Sequence, residues 1–301
     1  MSYENPQVPH EVNVSRDSVL VEFVQLAAGV GLVVVALAAA LYFFGGYAAR
    51  LVPYSVEREW VGERVLGPVT VETPAEASGE TAGESAPAAP DDAARVLPYL
   101  QRLADELAVH MQLPDGMRPT VHWADTDVPN AFATLGGHVV VTRGLYERMP
   151  SENALAMVVA HELAHLRERD PIAALGGSAS LALVLVLLGG NVDRLVPHLA
   201  HAVQLGYSRQ AEERADALAL DAVIARYGHA GGAAAVFEVL GEYAGPARRA
   251  VPTLLATHPA DEDRIARLRE AARTWDPARQ PLRPLEVAVG AEAPAASAPT
   301  V

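Results

Sequence analysis

The chain has 301 residues, half of them hydrophobic, and a formal net charge of −14. That acidity, with no basic patch to meet phosphates, excludes a nucleic-acid partner. Cysteine is absent, which removes disulfides, thiol catalysis and thiolate ligands, so a metal site must use His, Asp or Glu.

Residues 1–22 read as a polar, mildly acidic tail. From Phe23 to Ala49 no charged residue occurs, and Leu26 to Phe44 is almost wholly apolar. About 20 apolar residues span a bilayer core, so 23–49 is expected to be a transmembrane anchor helix. A cleaved signal would have a shorter apolar region behind a positive start, and here only Arg16 precedes the run. Tyr42, Phe43, Phe44 and Tyr47 suit an interfacial belt. Arg50, Arg58 and Arg64 follow the span, so the positive-inside rule leans toward a cytoplasmic catalytic part. The expectation is a single-pass protein of the cell membrane with the lipid bilayer as one partner.

Residues 50–71 form a juxtamembrane segment. Residues 72–94, rich in Ala, Pro, Glu, Gly, Ser and Thr, cannot bury a core and are expected to be a flexible linker. The stretch 276–301 has the same character and is expected to be a disordered tail. The folded domain is therefore 95–275.

Inside it, Arg95 to His110 has helical periodicity. Thr120 to Ala124 suggests a strand, and residues 131–135, Gly136-Gly137 and 138–142 suggest a hairpin with a two-residue turn. Ser151 is a candidate N-cap for a helix reaching Glu168, where Pro171 is expected to stop it. A second apolar run, Ile172 to Gly190, is long enough to suggest a span. Residues on both sides of it must reach one site, so the chain between them crosses a bilayer an even number of times. The next apolar piece, 195–206, is short for a return. A buried or membrane-dipping hairpin is expected, with a two-span insertion as the alternative. Helices are also expected over Ser208–Tyr227, ended by Gly228, and over 232–240 and 261–274. The fold class is α+β, mainly helical, with a small antiparallel sheet.

The chemistry concentrates in His161-Glu162-Leu163-Ala164-His165. Two histidines four apart on a helix project from one face and can reach one ion at about 2 Å. Glu162, between them, suits a general base that takes a proton from a zinc-activated water and passes it to the leaving amine. A catalytic zinc takes three protein ligands and keeps one position open. On the helix containing Glu212-Glu213-Arg214-Ala215-Asp216, Glu212 and Asp216 share a face. Glu212 can bind the metal while Asp216 accepts from the far nitrogen of a ligand histidine. Glu213 is a rival ligand but points about 100° away. His258 is either a solvated loop histidine or a donor to the oxyanion of the reaction. The strand 138–142, with His138, Val139 and Val140, is either a substrate-binding edge or a plain structural hairpin.

These residues resemble the HtpX-like zinc metallopeptidases, a family that includes the CAAX prenyl and mitochondrial Oma proteases. The resemblance rests on Asn130-Ala-Phe-Ala133, Gly136-Gly-His-Val139, Thr142-Arg-Gly-Leu145, the H-E-L-A-H, Ser208-Arg209 with Glu212 and Ala215-Asp216, and Thr257-His-Pro259 with Arg264-Ile265. It spans about 120–270, and the segment from Val52 to Gly62 resembles the Oma branch. It implies a gluzincin fold and endopeptidase activity on misfolded or membrane proteins. It also implies one zinc ion per chain on His161, His165 and Glu212, Glu162 as base, and Asn130 and His258 lining the cleft. The expected function is thus a membrane-anchored zinc metalloendopeptidase acting on polypeptides in protein quality control. A metal-containing chaperone or scaffold on membrane proteins is the alternative, and no feature of the sequence sets an oligomeric state.

Overall fold

The structure is a computed structural model, and it describes residues 18–61, 90–187, 207–244, 258, 262–287 and 289. The linker expected at 72–94 lies outside these residues up to 89, as do the apolar piece 195–206, most of the N-terminal tail, and Thr257 and Pro259.

Helix α1 (Val19–Arg50) is unbroken for 32 residues, and none of them is buried. At 1.5 Å per residue it is about 48 Å long, more than the roughly 30 Å of a bilayer core. It is apolar and long enough to cross a membrane. Helix α2 (Tyr54–Val61) follows almost at once and buries Tyr54, Glu57 and Val61. Helix α3 (Pro90–Met111) starts inside the stretch read as linker, because Asp92 at its start is buried.

The sheet holds β1 (Thr120–Ala124), β2 (Ala131–Thr134) and β3 (His138–Thr142) in the order β1-β3-β2. The β2–β3 hairpin is antiparallel, with Ala133 opposite Val139, while β1 joins β3 in parallel. Among the described residues the sheet is therefore mixed. A short turn of 3₁₀ type at 135–137 closes the hairpin, with Gly136 and Gly137 at φ 78° and 81°. Tyr54 Oη lies 2.6 Å from where a Gly137 Cβ would stand, so both the backbone angle and the space require glycine there.

After α4 (Arg143–Arg148), helix α5 (Glu152–Arg167) is capped by Ser151, whose side chain accepts from Ala154 N. From Glu152 to Leu166 every residue of α5 is buried, so it is the central helix of the domain. Glu152 anchors its first turn by accepting from Tyr99 Oη, Tyr227 Oη and Arg226 Nη1 at 3.0, 2.9 and 2.7 Å. The helix ends at Arg167 with Glu168 as its C-cap, and Arg169, at φ 62°, turns the chain before Pro171 is reached. Pro171 lies in the first turn of α6 (Asp170–Leu187), where a missing N–H is tolerated.

Helix α6 runs back along α1. A Cβ on Gly45 would fall 1.9 Å from Ser180 Oγ, and one on Gly176 would fall 2.4 Å from Ala49 Cβ, so the two helices approach at van der Waals distance. Of the run 172–190 the structure describes 172–187, all of it helical; Ile172 at its start is buried, and Leu183 is 61% exposed. Helices α7 (Arg209–Tyr227), α8 (Ala235–Ala244) and α9 (Glu262–Ala271) complete the domain, with Gly228 ending α7 at φ 79°.

The tail expected to be disordered from 276 is ordered at its start. Arg283 N donates to Asn153 Oδ1, Glu152 N to Arg283 O, and Tyr146 Oη to Val287 O. Leu285, Val287 and Val289 pack on the core, which its Ala- and Pro-rich composition concealed.

Candidate active site

Helix α5 carries His161, Glu162 and His165 and α7 carries Glu212 and Asp216, all buried. His161 Nε2 lies 3.1 Å from His165 Nε2 and 3.3 Å from a Glu212 oxygen. The other Glu212 oxygen is 3.5 Å from His165 Nε2. His258 enters from a loop, with Nδ1 3.0 Å from Glu212 and 3.3 Å from His161 Nε2. A tetrahedron with metal bonds of about 2.0–2.1 Å has edges of roughly 3.3 Å. The spacings are close to that edge, so His161, His165 and Glu212 could hold a zinc-sized ion, with His258 Nδ1 beside them.

Glu162 completes the chemistry. One carboxylate oxygen accepts from Ala133 N of β2 at 2.8 Å. The other is buried, makes no hydrogen bond among the described residues, and lies 3.5 Å from His258 Nε2.

Around these groups lies a ring of charged partners. Asp216 Oδ1 is 3.0 Å from His161 Nδ1. Arg264 of α9 clamps Asp216 through Nε and Nη2 at 2.7 and 2.8 Å and reaches Glu212 through Nη1 at 2.8 Å. On the opposite side, Asp170 Oδ2 is 2.9 Å from His165 Nδ1, and Tyr207 stacks on the His165 ring at 4.1 Å. Asp170, Tyr207 and the clamping role of Arg264 were not singled out from the sequence. Asp170 carried one usable signal, an acid five residues past His165 at the mouth of the next helix. Glu213 is turned away, 53% exposed, toward Arg267.

Electrostatics follow from this packing. Burial by itself would lower the pKa of His161, but Asp216 and Glu212 outweigh it and push His161 up to about 9 without a metal. Burial likewise opposes charge on His165, and Asp170 and Glu212 raise it. Burial would raise Glu212, yet hydrogen bonds from three histidines hold it well below the usual carboxylate range. Asp216 and Asp170 are held low against burial by Arg264 and His161, and by His165 and Arg50.

The expected substrate strand needs correction. β3 is the middle strand, paired to β1 on one edge and β2 on the other, so His138, Val139 and Val140 have no free backbone edge for strand addition. Val139 and Val140 are core residues, and the His138 ring instead meets His122 at 2.9 Å. The edge strand at the site is β2. Asn130 O accepts from Thr142 N, so the alternation turns the backbone groups of Ala131 and Ala133 outward, and Ala133 N already meets Glu162. Asn130 is buried, and its Oδ1 has no hydrogen-bond partner among the described residues. Beside Glu162 a narrow cleft is lined by Met157, Val158, Val236, Phe237 and Leu240.

Comparison with known proteins places the chain. The model of peptidase family M48 matches residues 94–272. A putative beta-barrel assembly-enhancing protease of Vibrio cholerae is 34% identical over 166 residues, covering 49% of this chain and 33% of that protein. A protease HtpX homolog of Dictyoglomus thermophilum is 29% identical over 223 residues, 59% of this chain and 71% of its own length. Another, from Burkholderia lata, is 31% identical over 223 residues, with 59% and 75% covered. The chain therefore spans one third of the Vibrio relative and about seven tenths of the other two.

Proposed function

The chain belongs to peptidase family M48, and from that premise we propose that it is a membrane-anchored zinc endopeptidase acting on misfolded or membrane proteins. The observation that carries the reading is the convergence of His161, His165 and Glu212 at tetrahedral spacing, next to a glutamate with one oxygen free. These three residues would hold one zinc ion, which when bound supplies Lewis acidity toward water and a peptide carbonyl.

The protein groups then divide the work. Ala133 N fixes one oxygen of Glu162, leaving the other to accept a proton from water and return it to the departing amine. A catalytic site keeps its fourth corner open, so the reading requires His258 to turn aside as substrate enters. From beside that corner its ring N–H donates to the developing oxyanion. The outer edge of β2 favours substrate bound as an added strand, with Asn130 Oδ1 accepting a substrate N–H. The apolar cleft favours a hydrophobic side chain beside the scissile bond. The apolar α1 supports attachment to a bilayer, and the arginines after it support a cytoplasmic site; proteolysis of the 72–94 linker in intact against opened cells tests that side.

The test is zinc content together with cleavage of an unfolded protein such as casein. Glu162→Gln should keep its zinc and lose activity by about 10²–10⁴-fold, as expected for a lost general base. A variant that keeps zinc and cleaves normally refutes the mechanism, and wild type without zinc refutes the site. A zinc-loaded wild type that binds unfolded protein without cutting it would favour the chaperone or scaffold reading.

A further inference from the structure

We propose that Arg50, the last residue of the anchor helix α1, is a positioning residue of the metal centre, so that the seat of the anchor sets the orientation of a metal ligand. The inference rests on the reading of His161, His165 and Glu212 as a metal site and goes beyond it.

Arg50 Nη2 donates to Asp170 Oδ1 at 2.6 Å, and the other oxygen of Asp170 lies 2.9 Å from His165 Nδ1. Asp170 is 3% exposed and His165 is fully buried, so this carboxylate has little water to orient it. It takes its direction from two partners, one a ligand and the other the end of the anchor. A carboxylate behind a ligand histidine fixes the ring's tautomer and raises its basicity, and loss of such a partner typically weakens metal binding 10–100-fold. Arg50 acts one bond further out, through that carboxylate.

The Arg50 side chain is 41% exposed, but the junction around it is braced. The glycine contacts of α1 with α6 hold the two chain segments together at this level. Arg169, next to Asp170, pairs with Glu57 of α2 at 2.8 Å and donates to Val52 O. Glu57 in turn accepts from Gly136 N at 2.8 Å, in the turn that follows β2. The segment 50–61 thus grips the site from both sides: Arg50 reaches the carboxylate behind His165, and Glu57 reaches the hairpin whose strand touches Glu162.

The experiment is a double-mutant cycle on the full-length protein in detergent. Zinc affinity is read by chelator competition, and ligand geometry by the visible spectrum of the cobalt-substituted protein. Arg50→Gln should weaken zinc binding about tenfold, at the low end of the range for such partners, and alter the cobalt bands. Arg50→Lys should recover most of the loss, because a single charged donor meets Asp170 here. Adding Arg50→Gln to Asp170→Asn should cost nothing more than Asp170→Asn alone. Unchanged affinity in Arg50→Gln, or losses that multiply in the double variant, overturns the proposal. If Asp170→Asn does not fold, Arg50→Gln against Arg50→Lys decides, and a loss that Lys fails to recover counts against it. Wild type that binds no metal refutes the site itself, whereas wild type that binds normally beside an unaffected Arg50→Gln refutes this inference alone.

Discussion

Arg264→Met removes the cation that holds two buried carboxylates while keeping most of the side-chain volume against Phe237. Arg264 makes two bonds to Asp216 and one to Glu212, and all three residues are at most 5% exposed. Without metal the variant leaves both acids facing one another across a dry site, and removing one partner of a buried ion pair costs about 3–5 kcal/mol. With zinc bound, Glu212 is neutralised by the ion and Asp216 keeps the His161 N–H. The cost should then fall to that of lost charge-assisted bonds, about 1–3 kcal/mol. For a domain of this size each kcal/mol moves Tm by about 2–4 °C. Thermal unfolding of the full-length protein at pH 8, where carboxylates cannot escape by protonation, should show a drop of roughly 6–20 °C in chelator and a clearly smaller one in zinc. A drop below about 2 °C in chelator, or equal drops in both, refutes the assignment of Arg264 as counter-ion to both acids.

The raised His161 gives a pH dependence with a definite sign. Its folded pKa of about 9 lies above the ordinary histidine value of 6.5, so its contribution to the stability of the metal-free protein is complete below about 6.5 and is lost as pH rises through 9. The same proton competes with the metal, so apparent zinc affinity should climb across that window and level off above it, checked by chelator competition at several pH values. A flat profile would contradict the site's electrostatics. Gly137→Ala combines a left-handed φ with a Cβ 2.6 Å from Tyr54 Oη. It should cost about 2 kcal/mol, seen as lower denaturant tolerance, and an unaffected midpoint would mean that α2 does not press on this turn. Glu152→Gln keeps the shape but weakens three bonds at the start of α5. It should cost about 1–3 kcal/mol in unfolding with no change in zinc affinity.

What the sequence made legible was local. The H-E-x-x-H spacing, the Ser151 cap and the Gly228 stop depend on residues within a turn or two of each other, and helical geometry converts that spacing into a face. Glu212 and Asp216 were legible for the same reason, as two acids on one face of one helix. The partners missed lie far apart in the chain: Arg50 and Asp170 are 120 residues apart, and Arg264 and Asp216 are 48. No periodicity encodes such pairs, because they exist only once α1 lies along α6 and α9 crosses α7. The substrate edge was misassigned for a related reason. The hairpin was visible, but a two-stranded reading cannot tell which strand is covered, and β1 joins β3 from the preceding segment and leaves β2 outside. The tail beyond 276 misled through composition, since its few apolar residues dock singly and not as a periodic face.

Charge explains why these scattered partners belong to one design. Glu162, Glu212, Asp216 and Asp170 bring four carboxyl groups to His161 and His165, and Arg264 and Arg50 bring two guanidiniums. With every group ionised and the histidines neutral, the cluster carries two surplus negative charges in a buried volume, where an uncompensated charge is costly. A divalent ion restores balance and a monovalent one does not. Without the ion, the cluster recovers part of the balance by holding a proton on His161, consistent with its raised pKa. The two arginines therefore do more than brace helices. Their number sets the charge the site lacks, and one of them belongs to α1. Were α1 displaced from this junction, Asp170 would lose its guanidinium and the count would rise to three surplus negative charges, one more than a divalent ion balances.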